Sequence, residues 1–100
     1  MILRTLTIAA ALSIGVAATP AAATGKMTCD APQAQWKSLP ALEASLKKQG
    51  WEVRKSKVDG GCYEVYGTDP QGNRVEAYFH PVSFKKLLVS RRGEVLFRAK

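Results

Sequence analysis

The sequence contains a single histidine, His80, and only two cysteines, Cys29 and Cys62. With that supply, a Ser-His-Asp or Cys-His arrangement has one possible base and no choice of partners. A tetrahedral zinc site takes about four ligands and is not furnished either. Negative charge is scarce too: eight acidic residues face fifteen Lys and Arg, for a formal net charge of +7. Long apolar runs are missing beyond the first twenty or so residues, and so are internal repeats, low-complexity tracts and any nucleic-acid-binding motif. These absences argue against an enzyme with a complete catalytic constellation, and no cofactor is expected.

What is present begins with "MILRTLTIAAALSIGVAATPAAA". Arg4 precedes an uncharged run from about Leu6 to Ala18, then Pro20 and three alanines. A charged start, a short apolar core and small residues at the end make a secretory signal. The run is too short and too rich in alanine for a membrane span. Cleavage is expected after Ala23, which makes the mature protein periplasmic or secreted and, with Arg4 gone, lowers the charge from +7 to +6. No cysteine lies at the cleavage point to carry a lipid.

A domain this small buries too little apolar surface to be robust without a staple. In an oxidising compartment Cys29 and Cys62 provide one, and their pairing contributes about 3–4 kcal/mol in the chain-entropy model.

The stretch "SLPALEASLKKQG" reads as one helix. Ser38 caps it, Pro40 fits its first turn, and Leu39, Leu42 and Leu46 share a face. Lys47 and Lys48 suit its C-terminus and Gly50 ends it. After Gly50 the period becomes two. "WEVRKSKV", "CYEVYGT" and "NRVEAYF" read as strands. A three-residue loop ending at Gly72 pairs Asp69 with Asn73, hence Gly67 with Val75, Val65 with Ala77 and Tyr63 with Phe79. A Gly60–Gly61 turn pairs Asp59 with Cys62, Val58 with Tyr63, Ser56 with Val65 and Lys57 with Glu64. Trp51 and Val53 then differ in parity from Ser56 and Val58: either a bulge near Arg54–Lys55 switches the buried face or Trp51 packs outside the core, and the bulge is the favoured reading. In the tail, Phe84, Leu87 and Leu88 would fit a helical turn, but Leu87 and Val89, then Val95 and Phe97, alternate around "RRG", which favours a further hairpin. The expected class is α+β: one helix on an antiparallel sheet of three strands, with an extra C-terminal β-hairpin.

The sequence resembles the PepSY family in its small exported form. The resemblance rests on "CDAPQAQW", the helix, "GWEVRK" and "DGGCYEVYGTDPQGNRVEAYFHPV" in that order, over about Cys29–Ser83. The chain departs from the family pattern at His80, where Asp is usual before the proline, and in the tail from Phe84, which replaces a short ending. The domains would be a signal over 1–23, an arm over 24–35 and a PepSY-like domain over 36–100. The resemblance implies a module that binds or restrains a protein partner. PepSY domains occur in protease propeptides and near membrane cytochromes and two-component sensors, and none is known as an enzyme on its own.

The register collects Cys62, Glu64, Tyr66, Glu76, Tyr78 and His80 on the face away from the helix. That face is expected to be open to solvent, and Glu64, Tyr66, Glu76, Tyr78 and His80 form the candidate partner-binding surface. Glu64 and Glu76 could do paired-carboxylate chemistry only in a deep cleft; cross-strand pairing with Lys57 is the simpler role. Two tyrosines among Arg54, Lys55 and Arg74 could stack nucleic-acid bases, but export argues against that partner. The positive charge suits an acidic partner or weak contact with an anionic membrane surface. The alternative reading is a haem- or metal-associated accessory protein using His80.

Overall fold

A computed structural model describes residues 26–100. The signal assigned to residues 1–23 lies outside the described residues. A short 3-10 turn, Gln33–Gln35, leads into helix α1, Leu39–Lys48. The Ser38 hydroxyl accepts the Ala41 N–H at 3.1 Å, which satisfies one of the donors that a helix start leaves free. The helix closes at Gln49, and Gly50 follows at φ +97°. Leu42 and Leu46 are buried, and Leu39 packs beside them.

Five strands follow: β1 Glu52–Asp59, β2 Cys62–Thr68, β3 Arg74–Phe79, β4 Lys86–Arg91 and β5 Glu94–Arg98. They form one antiparallel sheet in sequence order. Every pair expected for the first two hairpins is present, from Asp59 with Cys62 to Gly67 with Val75. The β1 register slips between Val53 and Lys55, so the parity change is a bulge, and Trp51 is inside the core. The tail is a hairpin, but its strands join the same sheet, which therefore has five strands rather than three.

The helix-side core unites Leu42, Leu46, Trp51, Tyr63, Val65, Val75, Ala77, Phe79 and Val89. Edge-to-face ring pairs, Trp36 on Tyr63 and Trp51 on Phe79, each have centroids 5.7 Å apart. Trp36 is anchored by its indole N–H to the Ala31 carbonyl at 3.0 Å, and the Tyr63 hydroxyl donates to the Lys37 carbonyl at 2.5 Å. A Ser56 hydroxyl bond to the Glu43 carboxylate ties β1 to the helix.

Loop chemistry explains the registers. In the β2–β3 loop Asp69 Oδ1 accepts the N–H groups of Gln71 and Asn73, at 3.0 and 2.9 Å, and Gly72 takes φ +90°. Between β3 and β4 the register shifts by one residue, so Leu87 bulges and both Leu87 and Leu88 lie against the face away from the helix.

Candidate functional site

The face away from the helix carries the candidate residues, and it is only half open. Glu64 and Tyr78 pair across β2 and β3, and Tyr66 pairs with Glu76 in the next row. Tyr78 and Glu64 are 0% and 1% exposed, which overturns the expectation that these two side chains face solvent. Tyr66, Glu76 and His80 are half-buried.

The cover is the N-terminal arm together with β4. Cys29 is bonded to Cys62, with Cα atoms 5.0 Å apart, and its N–H donates to the Gly60 carbonyl at 2.8 Å. Met27, Cys29 and Leu87 pack on a small second core of Cys62, Tyr78 and Leu88. The arm fits because the β1–β2 turn has no side chains. A Cβ on Gly60 would stand 2.4 Å from the Met27 carbonyl oxygen, and one on Gly61 equally close to the Cys29 carbonyl oxygen. The glycine pair thus serves two ends: it takes the positive φ of the turn and admits the arm's backbone. The sequence shows that the arm is stapled, but not that it lies over this face.

Beneath the cover is a polar interior. Tyr78 Oη donates to Asp59 Oδ2 at 2.7 Å, and both side chains are fully buried. Asp59 is a site residue that the sequence reading passed over; its register partner Cys62 was the available signal. Glu64 Oε1 has no hydrogen-bond partner among the described residues, and Lys57 Nζ stands 3.8 Å away. Burial pushes the Glu64 carboxyl above the ordinary carboxylate range, against a hydrogen bond with Tyr66 and the attraction of Lys57, which pull it down. Burial, then the hydrogen bond and charge of Glu64, push the Tyr66 phenol up to about 12. Lys55 and Lys57 sit over the Tyr66 ring at 5.5 and 5.8 Å.

Toward the open half, Lys26 pairs with Glu76 at 3.0 Å. Both side chains are partly solvated, so the pair adds at most about 1 kcal/mol. His80 is a turn residue: its Nδ1 accepts the Val82 N–H at 3.1 Å, and its backbone bonds both Lys85 and Phe84. Among the described residues no three His, Cys, Asp or Glu side chains converge on one point.

The arrangement offers an accessible aromatic and acidic pair, Tyr66 and Glu76, beside a closed, stapled polar core. No curated protein and no solved structure matches the chain. A family model described as the peptidase propeptide and YPEB domain does match, over residues 6–88, from the N-terminal segment through α1 and β1–β3 into β4, and the chain accordingly belongs to the PepSY family.

Proposed function

We propose that the chain is a non-enzymatic binding module of the cell envelope that modulates a protein partner, such as a peptidase or an envelope redox or sensor protein. Domains of this family are propeptide-like regulatory or binding modules, generally without catalysis of their own. The observation that carries the reading here is the division of the outer sheet face. The arm and the disulfide pack over Tyr78, and its neighbour Glu64 is buried as well, while Tyr66 and Glu76 are only half-buried. Tyr is well suited to anchor an interface, since it brings a large rigid surface with a polar tip. Export through the N-terminal signal would place the module with such partners and supply the oxidising conditions its staple needs.

A photo-crosslinking residue at position 66, in protein expressed with its signal in the source cell, tests this. The expected result is one discrete adduct from the envelope fraction that is lost when unlabelled mature domain competes. A ladder of non-competed adducts, or none, would sink the reading. Mass spectrometry of the same preparation should find Thr24, or a residue within a few positions, at the N-terminus. An intact Met1 on a membrane-bound product would refute export by cleavage.

A further inference from the structure

At the sheet end opposite the disulfide, the β1 bulge, Gly72 and the β4–β5 turn enclose an open groove of about 600 Å³. Four of the five arginines among the described residues line it: Arg54, Arg74, Arg91 and Arg92. Tyr66, Glu76 and Ser90 line it as well. We propose that this groove is a docking site for an acidic, extended segment of a partner protein, rich in Asp or Glu. The proposal rests on the binding-module reading above and adds the chemistry of the partner.

The charge in the groove is not neutralised from within. Among the described residues none of the four arginines lies within 4 Å of a carboxylate. Arg91 instead donates to Asn73 Oδ1 at 3.0 Å, which holds its guanidinium in place. The one acidic residue in the lining, Glu76, is paired with Lys26. Concave surfaces lined by one sign of charge concentrate counter-charged ligands, and a guanidinium fork matches the two oxygens of a carboxylate.

The sequence itself offers no such acidic run, which favours a partner protein as its source. Residues 1–25 hold no Asp or Glu. In the whole chain no two of the eight acidic residues are closer than five positions, so a second copy offers only isolated carboxylates. A bilayer surface is a poorer fit, because a flat sheet of headgroups meets the rim of a concavity and not its lining.

The test is fluorescence anisotropy with the mature, oxidised domain. The probes are labelled octa-glutamate and a neutral Gln/Ala peptide of the same length, with phosphatidylglycerol vesicles assayed alongside by co-sedimentation. Octa-glutamate should bind at low salt, weaken markedly as salt nears physiological strength, and bind at least ten-fold more weakly to Arg54→Gln/Arg74→Gln/Arg92→Gln, while the neutral peptide binds neither. The triple variant changes exposed side chains, and an unchanged melting curve confirms its fold. Equal binding of both peptides, or an acidic peptide indifferent to the triple variant, overturns the proposal. So does arginine-dependent binding of vesicles without binding of peptide. If the crosslink from position 66 survives in the triple variant, the binding-module reading stands and only the acidic docking site falls.

Discussion

Tyr78 and Asp59 meet across the outer face of the sheet, hydroxyl to carboxylate at 2.7 Å, with neither side chain reached by solvent. A buried carboxylate depends on its donors, so Tyr78→Phe should lower stability by about 1–3 kcal/mol. Denaturant unfolding checks the value. An unchanged midpoint would mean that the pair is solvated and the face open after all.

Glu64 gives the protein a pH dependence of definite sign. Its carboxyl titrates above the ordinary range because burial penalises the charge, so the folded state binds its proton more tightly than the unfolded chain does. The favourable contribution is complete below the unfolded pKa, about 4.3, and is lost as pH rises through the folded value. Glu64→Gln should therefore raise the melting temperature at pH 7 and lose that advantage at acidic pH. Melting curves of both proteins across that range decide it. A variant less stable than the parent at pH 7 would show that the ionised carboxylate stabilises the fold through Lys57.

Removing the staple should do two things at once. Cys29→Ser with Cys62→Ser lifts the constraint on a loop spanning 33 positions, worth about 3–4 kcal/mol. It also frees the arm from the outer face. Limited proteolysis should then cut near Met27 well before the melting transition. A reduced protein whose arm resists protease as well as the oxidised one would assign the cover to packing alone.

Two glycines should fail for different reasons. Gly72→Val places a β-branched residue at φ +90° with nothing within 4 Å, so its cost is conformational, about 1–2 kcal/mol. Gly60→Ala adds a methyl group that collides with the Met27 carbonyl, so it should displace the arm as well as destabilise the turn. Comparing the two by protease cleavage of the arm separates the effects: only Gly60→Ala should accelerate it.

The parts of the fold legible in sequence are those that short-range chemistry decides. Asp69 and Gly72 permit one loop, and that loop sets the β2–β3 register; Gly60–Gly61 do the same for β1–β2. The mismatch between Val53 and Ser56 exposed the bulge, because a strand cannot change its buried face without an extra residue. The covering of Glu64 and Tyr78 was not legible, because alternation shows which residues share a face but not what lies on top of it. The disulfide tethers Cys29 at one end only, and the path of Lys26–Thr28 depends on clearance over side-chain-free glycines. The arginine groove escaped for a related reason. Arg54, Arg74 and Arg92 are about twenty residues apart in sequence and become neighbours only because successive antiparallel strands return to one end of the sheet.

Every residue of β5 is solvent-exposed, including Val95, Leu96 and Phe97, and among the described residues its only strand neighbour is β4. Protection against amide exchange should therefore grade across the sheet. The β2 and β3 amides, bonded on both sides around a dense core, should exchange only through global unfolding, whereas those of β5 should exchange through local fraying that leaves the helix side intact. On that expectation β5 is the strand most readily detached. Its departure would uncover the outer rim of β4, whose Leu88, Val89 and Ser90 are buried in the intact sheet, and turn a closed edge into a vacant place in the ladder.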